Sequence, residues 1–209
     1  MKRNFYSLFV RCSFALAFIP MLSTNSFRAL AVEKDGDVTW LPKLPETIKV
    51  LDIERYQGVW YEIASTKPSF QKDCVCVTAT YTPLEDGSVG VDNSCRIKSP
   101  TGELKIARGT AIIPDLNEPG KLKVTFSEQN AVARFFGGLF RTNYWIVDLG
   151  ADYNYAVISS PFKKPIWILS RTPQLPEEEY KRILANLDSK GFAVEDIVPT
   201  LQEGCGESI

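Results

Sequence analysis

The middle of the chain alternates apolar and polar residues with a period of two. In residues 77–82 apolar side chains alternate with threonines, and in residues 121–126 they alternate with lysines and a threonine. This period gives a β-strand one apolar and one polar face. Together with the turn residues between the segments, it predicts eight strands, at residues 59–66, 75–82, 88–97, 105–113, 121–127, 143–149, 153–159 and 166–171.

Short turns separate these strands. Asp86-Gly87, Pro119-Gly120 and residues 150–152 are turn-forming sequences between apolar segments. Many short strands at this spacing are typical of an antiparallel sandwich or barrel. When eight strands close on themselves, no edge stays exposed and the interior has room for one small ligand.

One α-helix is predicted after the last strand. Pro176 lies near its start, glutamates at 177–179 fill its first turn, and Gly191 marks its end. Its apolar positions repeat at i, i+3, i+4 and i+7: Tyr180, Ile183, Leu184 and Leu187. Because this apolar stripe is narrow, we expect the helix to pack on the outside of the sheet.

The composition indicates a globular domain without histidine chemistry. Of the 209 residues, 44% are hydrophobic and 23% are charged, a balance typical of globular chains. The sequence contains no histidine, which excludes catalytic triads and zinc sites that depend on this residue. We therefore predict no catalytic residue, no metal site and no cofactor.

The first 31 residues have the features of a secretory signal peptide. A basic start and a mostly apolar stretch precede Ala29-Leu30-Ala31, which resembles a cleavage site. An N-terminal membrane anchor is the alternative. Residues 32–50 are predicted to be an extended segment, and residues 51–209 to form the folded domain with its C-terminal helix and tail. Removing the first 31 residues leaves an acidic chain without a basic patch for nucleic acid.

Four cysteines stay in the exported chain: Cys74, Cys76, Cys95 and Cys205. An even number after export predicts two disulfides. Alternation places Cys74 and Cys76 on one face of their strand, so either could reach Cys95 on the paired strand. Three pairings are therefore open, and a metal or redox site at Cys74 and Cys76 is the functional alternative.

Three segments carry a resemblance to a known family. They are Tyr-Gln-Gly-Val-Trp-Tyr-Glu-Ile-Ala at 56–64, Ala-Asp-Tyr at 151–153 and Trp-Ile-Leu-Ser-Arg-Thr-Pro at 167–173. In this order, and followed by a helix, they resemble the lipocalin family and its bacterial lipocalin and apolipoprotein D branch. Ala151 departs from the threonine that the family has at this position. The resemblance extends from about residue 46 to residue 203.

The resemblance implies an all-β fold, an eight-stranded antiparallel up-and-down β-barrel with one C-terminal α-helix packed outside. It assigns structural roles to five motif residues: Gly58, Trp60, Asp152, Tyr153 and Arg171. Trp60 is expected to plug the closed end of the barrel, with the guanidinium of Arg171 stacked on its indole. The resemblance to apolipoprotein D also implies a Cys76–Cys205 disulfide, which leaves Cys74 for Cys95.

Alternation from Trp60 predicts which side chains face the lumen. The candidates for ligand contact are Glu62, Ala64, Tyr81, Phe126, Tyr144, Ile146, Tyr155, Val157, Trp167 and Leu169, and some of them are expected to be core below the cavity. A carboxylate in an apolar barrel is unfavourable unless it is paired. Glu62 therefore either contacts a polar head group near the lumen floor or forms an internal ion pair or hydrogen bond.

A loop at residues 131–141 contains four large apolar residues and two glycines. It is predicted at the mouth of the barrel. It either contacts a membrane surface or folds over its own barrel.

The resemblance implies a carrier of fatty acids, lysophospholipids or similar lipids, with a role in membrane lipid maintenance. The protein is expected to be exported, periplasmic or secreted, with outer-membrane association as an open alternative, and to be a monomer or homodimer. Two other functions stay open. An isomerase or de-epoxidase would need Glu62 or a reduced cysteine, and a protein-recognition module would have a filled barrel.

Overall fold

The computed structural model describes residues 43–127 and 143–206 of the chain. In these ranges nine strands form one sheet: β1 (Gly58–Ser65), β2 (Cys74–Pro83), β3 (Val89–Ile97), β4 (Leu104–Ile112), β5 (Lys121–Phe126), β6 (Tyr144–Leu149), β7 (Tyr155–Ser159), β8 (Trp167–Ser170) and β9 (Val198–Pro199). The predicted signal peptide at 1–31, the start of the extended segment at 32–42 and the loop at 131–141 lie outside the described residues.

The sheet closes on itself through β1. Residues 58–61 of β1 pair with β2, and residues 61–65 pair with β8. From β2 to β8 each strand pairs with the next one in sequence, and all pairings are antiparallel. The predicted eight-stranded up-and-down barrel is confirmed.

Four short elements were not predicted, among them single turns of 3-10 helix at Ser69–Gln71 and Val194–Asp196. Helix α1 (Ile53–Tyr56) is a single turn, capped by the Asp52 side chain, which accepts hydrogen bonds from the backbone N–H groups of Glu54 and Arg55. Four residues are too few to show a helical period. Strand β9 has two residues and pairs with Ala64 and Ser65 of β1, so it too lacks a periodic signal.

The predicted C-terminal helix, α2 (Glu177–Ser189), packs outside the barrel. Ile183 and Leu187 of its apolar stripe are fully buried. These two residues belong to an outer core, which lies between α2 and the sheet. Its other members are Ala64, Trp145, Val147, Tyr155, Val157, Ile166, Ile168, Phe192 and Ile197. No helix within residues 43–127 and 143–206 has the length and apolar character needed to cross a membrane.

A second core lies inside the barrel. It consists mainly of aromatic and branched side chains: Tyr56, Trp60, Ala79, Tyr81, Val89, Val91, Ala111, Leu122, Val124, Phe126, Tyr144, Ile146, Tyr153, Ala156, Ile158 and Leu169. The sheet therefore has apolar side chains on both faces where α2 covers it and on its inner face elsewhere.

Three residues predicted for the lumen belong to the outer core instead. Ala64 is turned outward by a β-bulge between Glu62 and Ala64, which interrupts the alternation that started at Trp60. Tyr155 and Val157 lie under α2, and their neighbours on β7 face the inner core. All five residues of β7 are buried, so its sequence carries no alternation from which the inner face could be read.

Candidate functional site

The narrow end of the barrel is closed by a stacked pair. The Trp60 side chain is fully buried, and the guanidinium carbon of Arg171 lies 3.8 Å from its ring centroid. The same guanidinium donates hydrogen bonds to the carbonyl oxygens of Arg55, Gln57 and Val59 at 2.5, 2.7 and 3.0 Å. The side chain of Arg171 therefore joins the last barrel strand to the chain that enters the first one.

Two of the other three motif residues, Gly58 and Tyr153, support this closure. Gly58 has φ +87°, a conformation that side chains rarely adopt. The Tyr153 hydroxyl accepts a hydrogen bond from the backbone N–H of Asp52 at 2.8 Å. The backbone carbonyl of Tyr153 accepts one from the Arg171 side chain. Asp152 is exposed.

Beyond this plug the barrel is hollow, with a cavity of about 640 Å³. Strand β1 runs from Trp60 toward Ser65, and the connection that follows, at residues 69–73, lines the cavity. The mouth is therefore at the end away from Trp60. The apolar part of the lining includes Phe70, Val77, Ala79, Val91, Ile97, Ile106, Ala107, Val124, Phe126, Ile158 and Leu169.

Six of the ten predicted lumen residues line this cavity: Glu62, Tyr81, Phe126, Tyr144, Trp167 and Leu169. Ile146 is fully buried in the inner core and does not line the cavity. The prediction included no residue of β3 or β4, although Val91, Asn93 and Ala107 line the wall there. The pairing of Tyr81 with Val91 identifies the inner face of β3, but this register is not visible in the sequence alone.

Glu62 lies on the mouth side of Trp60 rather than at the lumen floor. The residue is 2% exposed, and its carboxylate accepts hydrogen bonds from Ser65 at 2.9 Å, from Thr200 at 2.6 Å and from the side-chain amide of Gln71. Gln71 in turn accepts a hydrogen bond from the Trp167 indole at 3.0 Å. The network joins β1, the connection after it, β8 and the C-terminal segment beside the cavity.

Burial raises the pKa of the Glu62 carboxyl above its ordinary value, and the hydrogen bonds from Thr200, Gln71 and Ser65 offset part of this rise. The folded protein therefore binds this proton more tightly than the unfolded chain does. The stability that this adds is complete below the unfolded pKa and is lost as the pH rises through the folded pKa.

We expect the unfolding free energy of the Glu62→Gln variant to lack this pH dependence. The wild type should lose stability relative to the variant as the pH rises from the ordinary pKa of a glutamate through the raised pKa of Glu62, because only the wild type has a carboxyl at residue 62 to ionise. Denaturant unfolding of both proteins across this range measures the difference. A difference that stays constant, or that favours the wild type at high pH, would contradict the assignment.

The four cysteines form the disulfides Cys74–Cys95 and Cys76–Cys205. The prediction that Cys74 and Cys76 share one face is wrong. The pairing of β2 with β3 shifts register between Val75 and Thr78, and Cys76 there has φ +53°. This bulge leaves Cys74 lining the cavity beside Cys95, while Cys76 bonds the C-terminal tail.

The tail is held by hydrogen bonds as well. Cys76 donates its backbone N–H to the carbonyl of Leu201 at 2.8 Å, and the amide of Gln202 donates to the carbonyls of Glu62 and Val77. In residues 43–127 and 143–206 all four cysteines are oxidised, and no cluster of three side chains there is suited to a metal ion.

Comparison with known proteins agrees with this geometry. The model of the lipocalin-like domain matches residues 51–202. Temperature-induced lipocalin-1 of Arabidopsis thaliana is 36% identical over 160 residues, covering 75% of this chain and 82% of that protein. The outer membrane lipoprotein Blc of Citrobacter freundii is 32% identical over 164 residues, covering 78% and 86%. Apolipoprotein D of Mus musculus is 32% identical over 169 residues, covering 77% and 82%.

The fold is also similar to solved structures. Lobster apocrustacyanin A1 superposes with a TM-score of 0.54 at 20% identity, over 77% of this chain and 91% of that one. The residues matched by the family model include all the barrel strands, α2, Trp60 and Arg171. The chain therefore belongs to the lipocalin family.

Proposed function

We propose that this protein binds, stores or transports a small hydrophobic ligand in its barrel. The observation that carries the proposal is the cavity of about 640 Å³ above the Trp60 plug. Pockets for small molecules typically measure about 300–1,000 Å³ and combine apolar walls with a few polar groups. An apolar wall of this kind favours a molecule that water solvates poorly, because burying apolar surface is the main driving force of binding.

The distribution of charge around the cavity favours a lipid with an anionic head group. The inner walls are mainly aliphatic and aromatic, whereas Lys72 and Lys105 line the outer part and are exposed. A fatty acid or lysophospholipid would place its chain inside and its carboxylate or phosphate beside these ammonium groups. The carboxylate of Asp73 at the same rim would repel a head group that carries a second negative charge.

A role in membrane lipid maintenance fits the relatives, since Blc is named an outer membrane lipoprotein. Two disulfides support an exported protein in an oxidising compartment, periplasmic or secreted. The proposal is one of binding rather than catalysis, and the oxidised cysteines offer no thiol for an enzymatic reaction. Membrane contact through residues 131–141 and assembly as a monomer or homodimer stay predictions.

The test is to identify what the protein carries. We expect organic extraction of protein purified from an oxidising compartment to release about one lipid molecule per chain, identified by mass spectrometry. After delipidation, a fluorescent fatty acid should bind and be displaced by the extracted lipid. An empty extract together with no binding of the fluorescent probe would overturn the proposal.

A further inference from the structure

A chain of three tyrosine hydroxyls lies at the inner end of the cavity. The hydroxyl of Tyr144 is 2.8 Å from that of Tyr56 and 2.8 Å from that of Tyr81. Tyr81 and Tyr144 line the cavity, while Tyr56 lies beneath it with its ring centroid 5.0 Å from that of Trp60. All three side chains are buried.

One proton of these three hydroxyls has no acceptor among the described residues. Three hydroxyls carry three protons, and the two hydrogen bonds between them use two. Burial raises the pKa of Tyr81 to about 12 and raises the pKa values of Tyr56 and Tyr144 as well, so all three are protonated at neutral pH. Among the described residues, Tyr144 is the one hydrogen-bond partner of the Tyr81 hydroxyl.

The surroundings favour Tyr81 as the residue with the free proton. Tyr56 does not line the large cavity, but it lines a void of about 10 Å³ that it shares with Tyr81 and Tyr144 and whose exposed wall is apolar. A void of this size is barely large enough for one water molecule. If Tyr56 donates to Tyr144 and Tyr144 donates to Tyr81, the free O–H belongs to a residue that lines the large cavity. A buried donor without an acceptor is unfavourable, so this direction suits an occupied cavity.

An unpaired acceptor lies on the neighbouring strand. The side-chain oxygen of Asn93 is buried and has no hydrogen-bond partner among the described residues, and Asn93 lines the same cavity. Tyr81 pairs with Val91 across β2 and β3, so Asn93 occupies the diagonal position on the inner face. Diagonal neighbours of this kind are roughly 7–8 Å apart. The unpaired donor and the unpaired acceptor therefore belong to neighbouring positions of the same wall.

We infer that Tyr81 and Asn93 form a hydroxyl-binding subsite at the inner end of the cavity, and that the ligand is a lipid bearing an alcohol on its buried part. A hydroxyl can accept from Tyr81 and donate to Asn93 at the same time. A plain hydrocarbon chain would leave both groups unpaired. The inference rests on the proposed function, because it requires a ligand in the barrel.

The test compares fatty acids with their hydroxylated counterparts on the delipidated protein. Saturated acids of 12 to 18 carbons and the same acids with a terminal hydroxyl are titrated against a bound fluorescent fatty acid. We expect at least one hydroxylated acid to bind as tightly as its parent or more tightly. In Tyr81→Phe the affinity ratio of hydroxylated acid to parent should fall by about tenfold, as expected for a buried hydroxyl that loses its partner.

Two further variants make the test specific. Tyr61→Phe removes a hydroxyl from β1 at a residue that does not line the cavity, and it should leave the ratio unchanged. Asn93→Leu should lower the ratio as Tyr81→Phe does, which keeps the test decisive if one variant folds poorly. Equal ratios in wild type, Tyr81→Phe and Asn93→Leu would overturn the subsite while sparing the carrier function. Failure of every acid to bind would overturn both.

Discussion

Replacing Arg171 with methionine is expected to lower the free energy of unfolding by about 3–5 kcal/mol. The guanidinium stacked on Trp60 contributes about 0.5–2 kcal/mol by itself. Methionine fills similar space but leaves the carbonyls of Arg55, Gln57 and Val59 without their charged donor. Denaturant unfolding followed by tryptophan fluorescence measures the loss.

The matched control is Arg108→Met. Arg108 is on β4 with a side chain that is 67% exposed, and its contact with Asp92 is a long 3.7 Å ion pair. Such surface pairs contribute about 0–1 kcal/mol. Arg171→Lys should fall between the two, because an ammonium keeps the charge but lacks the planar fork that reaches several carbonyls. If Arg171→Met is as stable as Arg108→Met, the plug does not hold the barrel closed.

Filling the cavity with Ala107→Trp is expected to weaken the binding of a fluorescent fatty acid at least about tenfold. Ala107 lies on the wall formed by β4, opposite Asn93 of β3. An indole at this position occupies space that the ligand needs. The fold should survive, because the new side chain enters a void and not packed core.

Arg108→Trp is the control for this experiment. It introduces the same side chain at the next residue of β4, where the native side chain is mainly in solvent. It should bind the probe like wild type. Equal affinities for the two tryptophan variants would place the ligand somewhere other than the cavity.

The barrel itself could be predicted because its signals are local. Each strand is a short alternating segment between turns, and the eight predicted segments match β1 to β8 to within two residues at each end. Closure could be predicted because Trp60, in the first strand of the barrel, and Arg171, directly after the last strand, have recognisable sequence surroundings. The resemblance also implied the Cys76–Cys205 pairing that the structure has.

The lumen could be predicted only in part, because side-chain direction depends on features that the alternation does not contain. A bulge turns Ala64 outward, and another separates Cys74 from Cys76. Strand β7 is covered on both faces, so Tyr155 and Val157 could not be told from inward residues.

The hydrogen-bond partners of Glu62 could not be predicted from the sequence for a different reason. Thr200 is 138 residues away from it, in a tail with no periodic pattern. Only the tertiary fold brings that hydroxyl to the buried carboxylate. The unpaired side-chain oxygen of Asn93 can likewise be identified only when the inner face of β3 is known.

The most direct measurement is the position of a bound ligand in crystals grown with a fatty acid that is brominated at its terminal carbon. Anomalous scattering then locates the bromine without reference to the shape of the density. Ligand binding inside the barrel predicts a bromine enclosed by the sheet, in contact with the walls around Val124, Phe126 and Leu169. A bromine on the outer surface, such as the groove beside α2, or no bromine at saturating concentration, would contradict it.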